Sequence, residues 1–546
     1  MSRLPSMDDL KKAFENDGYN VVATAEKNGK RGIRAESKTA VNYETKKPKA
    51  VFYVEGGAYE MGYLTGVLGH EEAEEMITIF LKNIMPTFLK TDPNKKKWMW
   101  ALGLKLLKWR CKRMKKDIPQ YLQDEMHGLV DGCKSVNSKT KVSFNSVFAL
   151  NVGFDYLLSA VYNLQGLWET VGLDHNHLKI PIFCNAFGAF GKATSDGKCY
   201  FGRDFMFPDA GAFQNAAAMI IYRPDDAAHL PLVAVTAPGF VGSIAAMNND
   251  GVAMGVDMSP AANNNHKRPG LNSLLLVRHT MHMADSAEKA VKVITDAQRG
   301  VTWIYPIADG KNNRAVIVEA GAKMNDMHVL GFPPKDLKKN DLLPNEDFLK
   351  KHSQAKLIQG LMARWDDYDY PTEFFDFNDK LFAHYGKTYV PADAGETGFF
   401  DKNRHGKNLP SAYYFAPQRE AKDDLVLTTN LCVTPAMRIA GMDKWTIKIA
   451  GDHYDDVQWR YDALNSILIE NYGKIDFEKA VEIIAFLAPN GKYFTHYFEH
   501  NPRSSDGKTM QIGGSTSACD LTDKVITSHY GYFADEWVSL TLPNYM

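Results

Sequence analysis

The spacing of apolar residues divides the chain near residue 183. Upstream they recur at helical intervals; downstream they come in short runs broken by turn residues, the texture of strands. Residues 1–48 are polar and lysine-rich with little periodicity, which predicts a weakly ordered lead-in (1–50) with one helix near Met7–Asn16. Val51–Val54 is a short strand, and Gly56 and Gly57 open onto a helix through Thr65–Leu81. Trp98–Arg110 is helical and heavily apolar and runs into the basic Lys112–Lys116. Pro119 then starts a further helix, through Leu122–Cys133.

Downstream, an apolar aromatic run from Cys184 enters the turn Ser195-Asp196-Gly197-Lys198 and leaves as Cys199-Tyr200-Phe201, a hairpin pattern. Strands are predicted at Ala217–Tyr222, Leu232–Thr236, Ser243–Asn248 and Val252–Asp257, the last two joined by the turn Asn249-Asp250-Gly251. Helices follow at Leu271–Met283 and Ser286–Ala297, the second with Ser286 as N-cap and Glu288 near it. Then come strands at Ala315–Ala320 and His328–Leu330. Residues 331–424 are polar, with helices near Phe348–Trp365 and Thr372–Tyr385, and read as an insertion, either a lid over a site or a plain surface elaboration. Beyond it lie a strand at Leu425–Thr429, helices at Tyr461–Tyr472 and Phe477–Leu487, and a strand-rich Met510–Tyr532.

Composition narrows the function classes. The 546 residues, 45% apolar and 24% charged, suit a large soluble protein, and a formal net charge of -1 argues against nucleic acid as the main partner. The six cysteines are widely spaced with no C-x-x-C pair, so neither a zinc ribbon nor a disulfide scaffold is expected. Met1–Asp9 has no apolar signal-like run, no glycosylation sequon is present, and no stretch reaches the ~18 apolar residues of a membrane span, which together predict a cytoplasmic protein. The glycines at 56 and 57 lack a following Gly-Lys-[Ser/Thr], so no nucleotide loop is inferred. The histidine pairs His175/His177, His279/His282 and His496/His500 lack a third ligand, and no metal or cofactor is implied. The Trp98–Lys116 helix has two readings: a buried face with a solvated basic end, the commoner arrangement, or a membrane-surface contact through 98–116.

The candidate chemistry centres on Cys184. A cysteine in an apolar strand is ordinarily a buried structural residue. Here it opens the pattern Cys184-x-x-Phe187, then Ala193-Thr194-x-Asp196-Gly197, then Gly202-Arg203, which resembles the start of the mature chain in the penicillin acyltransferase-like (acyl-CoA:6-aminopenicillanic acid acyltransferase) family of N-terminal-nucleophile cysteine hydrolases, with choloylglycine hydrolases as more distant relatives. Gly56–Tyr63, the helix ending Val130-Asp131-Gly132-Cys133, Ser143–Leu158 with Asn151 and Asp155, and Met247–Ala253 extend the likeness.

The resemblance implies an α+β, four-layer αββα fold. It implies a mostly helical pro-segment over 51–183, self-cleavage between Phe183 and Cys184, and a catalytic domain over 184–546 whose two fragments stay associated. A new N-terminal cysteine would carry both a thiol nucleophile and, in its α-amine, a base of pKa about 7.7–8.0. The implied partners are Arg203 beside the thiol, Asn430 (in Leu427-Thr428-Thr429-Asn430) as oxyanion donor, and Arg460 holding the site or a substrate carboxylate. Two positions depart from the pattern. Met206 stands where an aspartate usually orients the α-amine, and Asp257 stands where asparagine is usual; the expectation is that Asp204 or Asp257 holds the α-ammonium. The implied activity is amide hydrolysis or acyl transfer on a small N-acyl substrate. The alternatives are a lipid-directed hydrolase or a catalytically silent binding member, the latter motivated by Met206.

Overall fold

The strand-forming runs assemble into two sheets. The computed structural model describes residues 5–42, 45–88, 94–170, 183–259, 264–265, 267–271, 273–323, 359–368, 422–434, 437, 460–487, 512–531 and 537–546. The lead-in is a built part of the larger sheet, which corrects the expectation of weak order. Helix α1 (Met7–Asn16) is where the pattern put it, closed by a reciprocal capping box between Ser6 and Asp9. Strands β1 (Tyr19–Lys27) and β2 (Lys30–Val41) form a hairpin, and β2 pairs with β3 (Pro48–Gly56). β1 buries only Tyr19, so its residues carry almost no apolar alternation to read. Phe14 packs on Tyr19 and Tyr545, tying this region to the far end of the chain.

Helices α2 (Ala58–Leu68), α3 (His70–Glu75), α4 (Lys82–Phe88), α5 (Lys97–Cys111), α6 (Gln120–Val136) and α7 (Phe144–Thr170) follow. Four glycines set the contact between α2 and α6. Gly62 and Gly66 on α2 meet Gly128 and Gly132 on α6, each beside the other helix's backbone. A Cβ at any of the four would overlap a carbonyl oxygen of the facing helix, of Glu125, Leu129, Tyr59 or Tyr63 respectively. Asn151 and Asp155 on α7 serve as local ties. Asn151 receives the Val241 N–H and donates to Gly239 O, and Asp155 receives the backbone and hydroxyl of Ser273.

Strands β4 (Phe183–Gly191) and β5 (Gly197–Pro208) form the expected hairpin. Next come the short helix α8 (Ala212–Ala216) and strands β6 (Ala218–Pro224), β7 (Leu232–Thr236), β8 (Ala245–Asn248), β9 (Val252–Gly255) and β10 (Asp257–Met258). Helices α9 (Ser273–Met283) and α10 (Ala287–Asp296) precede β11 (Trp303–Asp309) and β12 (Arg314–Ala320). Within the insertion, β13 (Leu361–Trp365) pairs with β12, where a helix was expected; the earlier part of that helix, His328–Leu330 and Thr372–Tyr385 lie outside the described residues. β14 (Leu425–Thr428), helical residues 460–470, the Phe477–Leu487 helix, and β15 (Ile512–Asp520), β16 (Val525–Gly531) and β17 (Val538–Thr541) complete the described elements.

The larger sheet runs β1-β2-β3-β6-β7-β8-β9-β11-β12-β13, with β10 beside β11; the smaller runs β14-β4-β5-β15-β16-β17. β3 and β6 pair in parallel, the other described pairs antiparallel. β4 and β5 lie against β11, and Gly188 of β4 faces Ala308 and Ala315 of the opposite sheet. The Phe477–Leu487 helix covers β5 and β15, while α9 and α10 pack on strands of the larger sheet. Among the described residues no helix is long and apolar enough to cross a membrane.

The α2–α6 contact generates a prediction. Gly66→Ala or Gly128→Ala must push two backbones apart, at a cost of about 1–3 kcal/mol or more. Each substitution is therefore expected to lower the thermal midpoint measured by circular dichroism, whereas Gly103→Ala, in helical backbone and facing only the flexible end of the Met85 side chain, should lower it far less.

Candidate active site

Strand register decides which side chains meet. Cys184 stands opposite Phe205, Asn185 opposite Asp204 and Ala186 opposite Arg203. Opposed residues share a face and faces alternate along a strand. Cys184, Arg203 and Phe205 therefore point between the sheets, as Gly188 does, and Asn185 and Asp204 point to the other side. β14 pairs with β4 so that Thr428 is opposite Ala186, which carries Asn430 to the head of β4.

There Asn430 Oδ1 accepts the Cys184 backbone N–H at 2.9 Å and Arg460 Nη2 at 2.9 Å, while its Nδ2 donates to Met258 O at 2.7 Å. Arg460 Nη1 donates to Cys184 O at 3.0 Å and to Asn185 Oδ1 at 2.7 Å. Asn185 Nδ2 donates to Asp204 Oδ1 at 2.7 Å. On the thiol's face, Arg203 Nη2 donates to Val256 O and, at 3.3 Å, to Asp257 Oδ1, with its guanidinium 4.9 Å from the Phe205 ring. Gly255 is needed beneath it, since a Cβ there would overlap Arg203 Nε.

Cys184, Asn185, Arg203, Asp204, Asp257, Asn430 and Arg460 are all fully buried. Burial therefore sets the protonation of the thiol and the two carboxyls. It pushes the Cys184 thiol up to about 12, helped by the nearby Asp257 and opposed by Arg203 and by hydrogen bonds from the Asn430 side chain and the Met258 backbone. It pushes Asp204 up to about 8 against the Asn185 hydrogen bond and Arg460, and Asp257 up to about 7 against Arg203 and Arg460. Arg203 Nε and Nη1, Asp204 Oδ2 and Asp257 Oδ2 are buried without a hydrogen-bond partner, so the cluster holds polar capacity that a water or reacting group can take up.

The six candidate residues named from the sequence thus fall in one buried cluster, with Phe183 immediately before Cys184 in β4. The Cys184 nitrogen is held by Asn430, and Asp204 is bonded to Asn185. Three members of the cluster were not named: Asn185, Met258 through its backbone, and Gly255. A polar Asn185 inside the apolar run Phe183–Phe190 was the available signal; Met258 and Gly255 act through backbone and space, which no side-chain pattern announces. Among the described residues no group of three or more His, Cys, Asp and Glu forms a metal site. His279 bonds Tyr121 Oη, and His282 bonds Arg278 Nε and Leu230 O; the other histidine pairs lie outside the described residues.

No protein-family model matches the chain. An uncharacterized protein of Archaeoglobus fulgidus is 28% identical over 524 residues, which is 95% of this chain and 68% of that protein. Among solved structures, a variant of a conjugated bile acid hydrolase from Clostridium perfringens is similar at 12% identity, covering 66% of this chain and 92% of its own, with a TM-score of 0.30. A Caenorhabditis elegans ortholog of N-acylethanolamine-hydrolyzing acid amidase is similar at 11% identity, covering 62% and 93%, also with a TM-score of 0.30. Scores this low carry neither fold nor function to this chain, and the site has to be read from its own geometry.

The raised carboxyl of Asp257 makes folding pH-dependent. Between its ordinary value near 4 and about 7, the folded state holds a proton that the unfolded state has released. Stability is therefore highest in acid and falls as pH rises through this window. Asp257→Asn keeps the neutral shape, so it is expected to remove part of this slope and stabilise the chain at about pH 8 relative to about pH 5, by on the order of a few kcal/mol, as read from denaturant midpoints.

Proposed function

We propose that the chain is a self-cleaving cysteine amidohydrolase or acyltransferase of the N-terminal-nucleophile class, with the four-layer αββα arrangement and a helical pro-segment over 51–183. One observation carries the reading: both backbone polar groups of Cys184 are clamped by side chains, its N–H by Asn430 and its C=O by Arg460, with the Arg203–Asp257 pair on the thiol's face. β14 ends opposite Ala186, so side chains rather than a neighbouring strand meet these two buried groups.

In the proposed maturation step, Cys184 Sγ adds to the Phe183 carbonyl carbon. The C–N bond breaks as the Cys184 nitrogen takes the proton that the thiol gives up, leaving a thioester. Water then attacks the thioester, forming a carboxylate on Phe183 and restoring the thiol, now beside a free α-amine. A thiol near 12 stays protonated at neutral pH, so before scission its attack is slow and is directed to the adjoining Phe183 carbonyl, whose amide nitrogen receives the proton. Scission itself creates the missing base. In turnover the α-amine takes the thiol proton and the thiolate attacks the amide carbonyl. The oxyanion is met by Asn430 Nδ2, released from Met258 O, and by the Met258 N–H. The leaving amine departs with the proton, and water or a second amine resolves the thioester. Asp204 or Asp257 holds the α-ammonium in place of the residue replaced by Met206.

The decisive measurement is intact mass with denaturing electrophoresis. Two fragments meeting between Phe183 and Cys184 are expected, and Cys184→Ala should give a single chain. A wild-type chain that stays whole and does not react with a thiol-directed acylating probe would overturn this reading in favour of a silent binding protein. Asn430→Ala and Arg460→Ala are each expected to slow scission by about a hundredfold or more, followed by time-resolved mass spectrometry. If Asp204→Ala and Asp257→Ala both matured and turned over at the wild-type rate, neither carboxyl would be the ammonium partner.

A further inference from the structure

Helix α5 does not bury its apolar stripe. It packs on α4 and α7 through Leu107 and Cys111, with Gly103 against Met85. Lys108 turns inward to Ser146 Oγ at 2.7 Å. The opposite side presents Trp98 (72% exposed), Leu102 (59%), Leu106 (55%) and Trp109 (50%). Their spacing of four, four and three residues sets them in one row along the helix. These are four of the six large apolar side chains left exposed among the described residues. The buried-face arrangement expected for this helix therefore holds only for its other side.

Charge accompanies the row. Between Asn94 and Lys116 there are ten lysines and arginines and no acidic residue, in a chain whose formal net charge is -1. Lys95–Lys97 flank one end of the stripe, and Lys112, Arg113, Lys115 and Lys116 the other, all of them exposed. Arg110 and Arg113 stand over the Trp109 ring, at 5.2 and 4.8 Å. The next acid, Asp117, is engaged by Arg268 at 2.6 Å and does not offset this charge.

We infer that α5 and the basic turn after it dock the protein on an anionic phospholipid surface. The helix lies flat, with Trp98, Leu102, Leu106 and Trp109 in the headgroup–acyl boundary and the flanking lysines and arginines on lipid phosphates and carboxylates. Tryptophan rings favour that boundary, and juxtaposed cations favour its negative potential. At 15 residues α5 is too short to span a bilayer, which leaves the in-plane orientation. An apolar row bordered on both ends by one sign of charge fits a lipid surface better than a second copy of this chain, whose matching helix would bring like charges together.

The test is flotation of the full chain with phosphatidylcholine vesicles, with and without phosphatidylserine. Binding needs no chemistry at Cys184, so the result stands apart from the proposed activity. Co-flotation is expected only with phosphatidylserine, and it should weaken as salt rises from about 0.1 M to about 1 M. The stripe variant Trp98→Ser/Trp109→Ser and the charge variant Lys112→Gln/Arg113→Gln/Lys115→Gln/Lys116→Gln should each reduce the bound fraction by about tenfold, with an unchanged thermal midpoint as the check on folding. No flotation of the wild-type chain, or equal flotation of both variants and wild type, overturns the inference. Wild-type self-association in vesicle-free sedimentation, lost in the stripe variant while flotation is unchanged, overturns it in favour of a second copy.

Discussion

The Arg460 guanidinium is the contact on which the rest of the candidate site depends. It reaches the backbone carbonyl of Cys184, the Asn185 amide and the Asn430 amide together, all in a fully buried setting. A buried cation without acceptors is among the most expensive features a fold can carry, so these acceptors and the arginine hold one another in place. Because Asn430 is held by Arg460 on one side and Met258 O on the other, its Oδ1 stays on the Cys184 nitrogen. The placement of the Cys184 backbone is thus set by two side chains that arrive from far along the chain.

Burial governs the titratable groups of the same cluster. Burial raises the thiol and both carboxyls in the same direction, toward their neutral forms, while Arg203 and Arg460 pull the other way. The unpartnered atoms on Arg203, Asp204 and Asp257 show a cluster with hydrogen-bonding capacity in reserve. A free amine at Cys184 would meet that reserve directly, which is why scission and activation are one event in the proposed scheme.

The surrounding frame supports this by close packing. The glycine pairs of α2 and α6 let two helices touch at backbone distance, and Gly255 does the same for Arg203. The α1–β1–β2 unit is locked to residues near Tyr545 and Ser539, so the first and last described strands share one body. Helix α5 is the exception, with an apolar row facing outward beside a dense band of cations.

Several features were legible in the residues alone. The hairpin at Cys184, the strand Leu232–Thr236, the helix Phe477–Leu487 and helix α1 all follow from apolar spacing and turn chemistry, which act within a few residues. The hairpin brings Arg203 near Cys184 within one local unit, whereas the pairing of Cys184 with Asn430 and Arg460 was legible only through the resemblance, because nothing local links positions hundreds of residues apart. Tertiary structure decided the rest. It made a polar lead-in into two sheet strands, because pairing of β1 with β2 and of β2 with β3 satisfies their backbone whatever their side chains. It turned Leu361–Trp365 into a strand on β12, because an open sheet edge outweighs a helical pattern. It brought in Asn185 by cross-strand register and Met258 by its backbone. It also left Trp98 and Trp109 in the open, because only packing, not periodicity, determines which face of a helix finds a neighbour.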